Sequence, residues 1–134
     1  MFQLFCDETR TCYLENTGNG KFKKHPLPIE AQFAPVNAII CDDVDNDGHK
    51  DLLLAGNEYQ AEVTRGRYDA SYGCFLRGGA NNTFTPLPPV KSGFIVDGDV
   101  KDMLLITMPD NSKRVLVAIN NDSLRVFKVN TGNK

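Results

Sequence analysis

The sequence feature that most constrains this chain is an aspartate-rich loop that runs from Asp43 to Asp51. Carboxylates stand at offsets zero, two, four and eight of this loop, and Gly48 stands at offset five, where its tolerance of positive φ allows a sharp turn. Apolar segments precede the loop at 36–41 and follow it at 52–55. Because short apolar runs bounded by polar turns favour strands, the pattern predicts a loop between two β-strands.

So many acids in one short loop oppose folding unless a cation accompanies them. Two unit charges ~4 Å apart interact by about 4 kcal/mol at an effective dielectric near 20. Ca²⁺ takes six to eight oxygen ligands from carboxylates, backbone carbonyls and water. We therefore predict a Ca²⁺ site with side-chain ligands from Asp43, Asp45, Asp47 and Asp51, and with the backbone carbonyl of His49 as a further ligand.

Two other interpretations of the loop stay open. An EF-hand needs a bidentate glutamate at its twelfth position and a helix on each side. Counted from Asp43, the twelfth residue is Leu54, and both flanks favour strands. The other interpretation is a solvated acidic turn without a metal, since Asp and Asn favour turns by themselves. The complete spacing between two apolar segments favours the cation site over both.

Composition restricts the function classes. The chain has 134 residues, 41% hydrophobic and 24% charged, which is enough for one globular domain with a core. A net charge of −2 gives no general attraction to nucleic acid or to membranes. No apolar run reaches the ~18 residues of a membrane span. The first six residues lack the basic segment and long apolar core of a signal peptide.

The cysteines leave two interpretations open. They stand at Cys6, Cys12, Cys41 and Cys74 and form no C-x-x-C pair, which disfavours structural zinc. Cys6 and Cys12 bracket a polar stretch, so a disulfide between them is one interpretation. The other is that all four are buried or half-buried free thiols.

The chain favours β-structure almost throughout, with glycine and proline spread along it and no amphipathic helical run longer than about two turns. The predicted strands are short and antiparallel, and polar turns join them. They cover 2–6, 12–15, 21–24, 36–41, 51–55, 73–76, 83–85, 100–106, 114–119 and 124–129.

An internal repeat groups these strands. Residues 12–22 align with 74–84 at an offset of 62, and residues 36–57 align with 100–120 at an offset of 64 that falls to 63 after one deletion. A repeat of this size with four short strands predicts a β-propeller blade. One blade cannot bury its own faces and needs neighbouring blades or self-association. The predicted fold class is therefore all-β, with antiparallel four-stranded blades in a partial propeller of about two to three blades.

The repeat also divides the chain. Residues 1–28 are predicted to be the outer strands of a first blade, 29–90 a calcium-binding blade, and 91–134 a degenerate last blade. In the last blade the loop at 107–113 lacks the repeated acids of the first loop, so no cation is expected there. Asp97, Asp99 and Asp102 lie before or inside the predicted strand, and we interpret them as part of a turn.

Two segments resemble the FG-GAP/VCBS-type repeat family, whose calcium-binding blades also occur in integrin α propellers. They are the strand–loop–strand unit at 36–57 and the turn N-x-G-x-G-x-F at 16–22. The whole chain is similar to the carboxy-terminal part of a bacterial VCBS-repeat protein. The resemblance implies a longer, seven-bladed parent that is extracellular, at the cell surface or periplasmic. It also implies a role in binding or adhesion rather than in chemistry.

A long loop is the second candidate site. The segment at 56–72 has 17 residues, where a hairpin uses two to five. Aromatic and arginine side chains favour binding surfaces, and long loops on rigid sheets often meet partners. The candidate residues for a protein or carbohydrate partner are Tyr59, Arg65, Arg67, Tyr68, Asp69 and Tyr72. The alternative is that the loop packs across the neighbouring blade, with Arg67 and Asp69 holding it in place.

These features leave three candidate functions. The first is a calcium-stabilised segment with a binding, adhesion or scaffolding role. The second is a fragment of a glycan-active propeller enzyme, which is disfavoured because the chain has two histidines and no Ser-His-Asp set, nucleophile elbow or P-loop. The third is a set of purely structural blades. We predict that the chain is not an enzyme, and that an exposed long loop favours recognition over architecture.

Overall fold

A computed structural model describes residues 3–62, 64 and 66–130. Within these residues the fold is all-β and antiparallel, as predicted, with short helical turns at Ile29–Gln32, Ala80–Asn82 and Pro89–Ser92. The strands are β1 (Cys12–Gly18), β2 (Lys21–Pro26), β3 (Val36–Asp42), β4 (Asp51–Gly56), β5 (Cys74–Gly79), β6 (Thr83–Leu87), β7 (Val100–Thr107), β8 (Lys113–Ile119) and β9 (Arg125–Lys128). None of the described helices is long and apolar enough to cross a membrane.

The strands form three separate sheets in which each strand pairs with its neighbour in sequence. Sheet 1 is β1–β2, sheet 2 is β3–β4–β5–β6, and sheet 3 is β7–β8–β9. Turn chemistry explains the hairpins: Asn19 and Gly20 both have positive φ between β1 and β2, which suits the tight turn of a hairpin. The arrangement of these sheets as propeller blades remains a prediction.

The predicted strand at 2–6 is wrong over residues 3–6, which lie outside any strand, while residue 2 is outside the described part. The apolar and aromatic residues of this segment favour a strand locally. However, Leu4 and Phe5 are both exposed, and no sheet supplies the segment with a ladder partner in the described fold. The cysteines, including Cys6 and Cys12, are free thiols.

Two apolar clusters hold the three sheets in a stack. One cluster joins sheets 1 and 2 and contains Leu27, Ala31, Leu52, Leu54 and Leu76, with Tyr13 and Phe84 packed against it. The other joins sheets 2 and 3 and contains Ala38, Ile40, Leu53, Ala55, Met103, Val115 and Val117 among others. β4 is buried along its whole length because alternate residues enter the two clusters. Each fully buried aliphatic side chain stabilises the fold by about 1.5–3 kcal/mol.

Two asparagines join sheet 2 to sheet 3 at one end, the buried Asn57 and the exposed Asn37. The Asn57 side chain donates from Nδ2 to the carbonyl oxygens of Ser71, at 2.8 Å, and Gly98, at 3.0 Å. The Asn37 Nδ2 donates to the carbonyl oxygens of Asn57 and Val100, both at 2.9 Å. These bonds satisfy backbone carbonyls that the sheet ladders leave unpaired at the joint.

Candidate metal centre

The aspartate loop joins the end of β3 to the start of β4, where Asp42 pairs with Asp51 across the ladder. Asn46 and Gly48 have positive φ, and these two residues turn the chain sharply. The carboxylates then accept hydrogen bonds from amides further along the loop. Asp43 accepts from the N–H of Asp47 and of Gly48, both at 3.0 Å. The loop is therefore ordered by its own aspartates.

Three of the predicted ligands converge. Asp43, Asp45 and Asp51 each offer one carboxylate oxygen, and these oxygens lie within 4.8 Å of one another. Ca²⁺ binds oxygen at 2.3–2.6 Å, so two oxygens on the same ion lie no further apart than about 5 Å. The three oxygens meet that limit, and an all-carboxylate donor set suits a hard cation. The residues present therefore fit a calcium ion.

Asp51 is the buried member of this group, and backbone amides hold its carboxylate in place. Its side chain is fully buried, and its Oδ2 accepts from the Val44 N–H at 2.9 Å while its Oδ1 accepts from the Gly78 N–H at 2.8 Å. A buried carboxylate needs such donors, since an unpaired buried charge is costly. The bond to Gly78 also ties the loop to β5, which is not adjacent to it in sequence.

Gly78 makes this close approach possible. A Cβ at this position would lie 2.0 Å from the Lys50 carbonyl oxygen and 2.7 Å from its carbonyl carbon. No side chain fits there, so only glycine lets β5 reach Asp51. A glycine within a strand often marks a place where another backbone segment comes close, and the sequence has such a signal in the pair Gly78-Gly79.

Asp47 is not part of the group of three convergent carboxylates. Its Oδ1 accepts from the His49 N–H at 2.9 Å, and its Oδ2 lies 2.9 Å from an Arg77 guanidinium nitrogen. The His49 amide and the Arg77 charge lower the pKa of Asp47. His49 itself is exposed in the loop. The structure thus groups three of the four predicted carboxylates and pairs the fourth with arginine.

Arg77 is the cation that the described structure places on this loop. Its Nε lies 2.8 Å from Asp45 Oδ2, in addition to the contact with Asp47. The two carboxylates raise the pKa of Arg77. Sequence reasoning missed this residue because Arg77 lies on β5, about 30 residues after the loop, and only the strand register brings it there.

A second basic residue ties the loop to sheet 3. Lys113, the first residue of β8, lies 2.8 Å from Asp42 and donates to the Asp43 carbonyl oxygen at 3.1 Å. Lys50 also contacts Asp42, at 2.9 Å. The hydrogen bonds from Lys113 and Lys50 lower the pKa of Asp42 to about 2.

The acids of the last sheet have other partners. Asp110, in the loop before β8, accepts from the Ser112 N–H at 3.0 Å. Asp97 pairs with Arg125, Asp99 lies 2.7 Å from the Lys101 ammonium, and Asp102 accepts from the Met103 N–H at 2.8 Å. Among the described residues, the group that could hold a metal is the one at Asp43, Asp45 and Asp51.

The long loop between β4 and β5 is exposed at most of its candidate residues. Arg67, Tyr68, Asp69 and Tyr72 are exposed, and Tyr59 is half-buried under the Arg67 guanidinium, 4.8 Å from its ring centre. An antiparallel bridge between Glu58 and Tyr68 closes part of the loop. Arg65 lies outside the described residues.

One side of this loop borders an apolar cleft of about 430 Å³. The cleft is lined by Phe33, Tyr72, Cys74 and the prolines at the end of β6. Burial raises the pKa of the Cys74 thiol to about 11, which keeps it protonated and unreactive. The cleft therefore presents mainly aromatic and proline surface, and Glu30 and Ser71 also line it.

Comparisons with protein-family models, with curated proteins and with solved structures each gave no match.

Proposed function

We propose that this chain binds Ca²⁺ through the β3–β4 loop and that the ion stabilises the stack of sheets in a binding or scaffolding protein. The observation that carries the proposal is the convergence of Asp43, Asp45 and Asp51 within 4.8 Å. Asp51 extends this group to β5 through Gly78, and Lys113 extends it to β8. An ion at this loop would therefore act on four strands in two sheets: β3, β4 and β5 of sheet 2 and β8 of sheet 3.

The wider proposal rests on the sequence resemblance. The sheets would be blades of a propeller of the FG-GAP/VCBS type, exposed at the cell surface, outside the cell or in the periplasm. The stacked sheets and their sequential antiparallel order are compatible with this arrangement. The role would be recognition or support rather than catalysis.

Thermal unfolding with and without calcium tests the ion site. After chelation and dialysis, we expect added Ca²⁺ to stabilise the chain by about 2.7 kcal/mol at a hundredfold excess over the dissociation constant. Asp45→Asn should abolish this gain, because it removes a ligand charge while leaving the fully buried Asp51 in place. Asp69→Asn is the matched control, since Asp69 is an exposed aspartate outside the loop. Equal melting temperatures with and without calcium would contradict the proposal.

The exposed tyrosines favour a recognition role for the long loop. Tyr68 and Tyr72 present aromatic surface, and Tyr72 borders the apolar cleft. Aromatic side chains of this kind supply much of the binding energy at interfaces and at carbohydrate sites. Screening of the chain against glycans and surface proteins should find a partner whose binding Tyr72→Ala weakens by about tenfold or more. Val90→Ala, at an exposed apolar position outside the loop, should leave binding unchanged.

A further inference from the structure

The two ends of the stack of sheets carry complementary kinds of face. In each sheet, we call the face toward the next sheet of the chain its leading face, and the face toward the preceding sheet its trailing face. In sheet 1 the trailing face is the one opposite sheet 2, and in sheet 3 the leading face is the one opposite sheet 2. The leading face of sheet 2 carries Ala38, Ile40 and Leu53 and packs on the trailing face of sheet 3, which carries Met103 and Val117.

Sheet 3 has a leading face that no described segment covers. Leu104, Leu116 and Val126 lie side by side on this face, because they pair across β7, β8 and β9. Leu104 is 59% exposed, whereas Ile40, its counterpart 64 residues earlier in the repeat, is 7% exposed. The same kind of face is therefore covered in sheet 2 and open in sheet 3.

Sheet 1 shows the opposite situation. Its leading face packs on sheet 2 through Tyr13, whose ring meets the Phe84 ring edge-on at 5.8 Å. Its trailing face carries Leu14 and Phe22, which are exposed. Leu14 is 60% exposed, whereas Leu76, its counterpart 62 residues later, is fully buried at 0%. The trailing face of sheet 2 is thus covered by sheet 1, whereas the equivalent trailing face of sheet 1 is open.

The uncovered trailing surface continues from sheet 1 onto sheet 2. Sheet 1 has two strands and sheet 2 has four, so β3 is left partly uncovered on this side. Ile39 shares a face with Leu54, its partner across the ladder, yet Ile39 is exposed while Leu54 is buried. The open surface is therefore continuous with the interface between sheets 1 and 2.

The asparagines at the ends of β4 and β8 also differ between the covered face of sheet 2 and the open face of sheet 3. Asn57 of sheet 2 donates to the Gly98 carbonyl of the segment that leads into sheet 3. Its counterpart 63 residues later is Asn120, which donates at 3.1 Å to Oδ2 of Asp99, the residue just before β7. Asn57 therefore donates to the segment that leads into the next sheet, whereas Asn120, in sheet 3, donates to the segment that leads into its own sheet.

We propose that the leading face of sheet 3 binds the trailing face of sheet 1 in a second copy of this chain, head to tail. The occupant is a second copy because the chain carries both surfaces and already joins surfaces of these two kinds twice within itself. Such a contact is heterologous, so each copy uses two different patches and assembly continues until a ring closes. The inference does not depend on whether the aspartate loop holds an ion.

Complementation between two variants tests this polarity. Leu104→Lys blocks the leading face and leaves the trailing face intact, while Phe22→Lys does the reverse; both positions are exposed, so the fold should tolerate a lysine. In sedimentation velocity of the full chain, we expect the wild-type mass to rise with concentration. Each variant alone should weaken assembly by about tenfold or more, which corresponds to 1.4 kcal/mol.

An equimolar mixture of the two variants should form a one-to-one dimer and nothing larger, because only one pair of intact faces remains. Val90→Lys, at an exposed position away from both patches, should assemble as the wild type does. Leu116→Lys with Leu14→Lys should repeat the result if the first pair alters the melting temperature. A wild-type chain that stays monomeric at every concentration would overturn the proposal. So would a mixture that forms no dimer, or a Phe22→Lys variant that dimerises alone, since that indicates a symmetric contact.

Discussion

At the scale of single residues, Arg77 bears most directly on the proposed calcium site. Its guanidinium lies between Asp45 and Asp47 and is about half exposed. In the absence of an ion it offsets the repulsion between the loop carboxylates. The same positive charge opposes an incoming cation, because both draw on the Asp45 carboxylate. Arg77 should therefore stabilise the ion-free loop and lower the affinity of the proposed site for calcium.

Replacement of Arg77 by glutamine should separate these two effects. Because solvent screens exposed ion pairs, we expect calcium to bind to Arg77→Gln more tightly than to the wild type by at most about fivefold. The ion-free variant should unfold at a lower temperature than the ion-free wild type. Isothermal titration calorimetry measures the affinity, with Arg67→Gln as the control arginine outside the loop. Weaker calcium binding by Arg77→Gln would show instead that Arg77 orients the carboxylates.

Gly78 controls how closely β5 approaches the loop. Gly78→Ala places a methyl group 2.0 Å from the Lys50 carbonyl oxygen, so the strand must move away from Asp51. We expect a loss of about 1–3 kcal/mol in the free energy of unfolding, measured by urea denaturation without calcium. Gly79→Ala is the neighbouring control and should cost less, because its nearest contact is the Thr83 hydroxyl at 3.0 Å, which can rotate. Equal losses in the two variants would contradict this account.

At the scale of elements, local sequence patterns predicted most strands and the aspartate loop. The contacts between the loop and β5 depend on strand register, which those patterns do not determine. Alternation and turn residues predicted β3 and β4, because both the apolar runs and the bounding polar residues are local. The same reasoning failed at 3–6, where no partner strand exists in the described fold. The spacing of the aspartates indicated the loop ligands. Arg77 and Gly78 could not be found in this way, since their contacts depend on how β5 pairs with β4.

A further contact between elements makes stability depend on pH. Asp99 precedes β7, and its buried carboxylate contacts Lys101 and accepts from Asn120 at the end of β8. Burial alone would raise the pKa of Asp99, but Lys101 and Asn120 hold it below its ordinary value. A carboxyl with a lowered folded-state pKa stabilises the fold above its unfolded pKa, and this contribution is lost as the pH falls through the folded value.

Asp99→Asn should reveal this dependence. At pH 7 we expect the variant to lose about 1–3 kcal/mol of stability, because the ion pair with Lys101 is broken within a buried site. The difference from the wild type should shrink as the pH falls below about 4, where an aspartate of the unfolded chain protonates while folded Asp99 still holds its charge. Urea denaturation across this pH range measures it, with Asp69→Asn, at an exposed aspartate, as the control variant. A difference that stays constant down to the lowest pH would contradict the assignment.

At the scale of the whole molecule, the stack of sheets makes stability uneven. β4 is buried on both faces and hydrogen-bonded on both sides, because it lies between β3 and β5 and between the two apolar clusters. Sheet 1 has two strands, and most residues of β1 and β2 are exposed or half-buried. A two-stranded sheet depends on packing against a neighbour, and here that neighbour is the trailing face of sheet 2.

Native-state hydrogen exchange should therefore show different amide exchange rates in the different sheets. We expect the amides of β4 to exchange most slowly, and those of β1 and β2 faster by about tenfold or more, because sheet 1 can open while the other two sheets stay packed. Tyr13→Ala should speed exchange in β1 and β2 further and leave β8 unchanged, since Tyr13 packs against the cluster between sheets 1 and 2 alone. If β1 and β2 exchanged as slowly as β4, the three sheets would open together, and sheet 1 would have to be counted as part of a single cooperative unit.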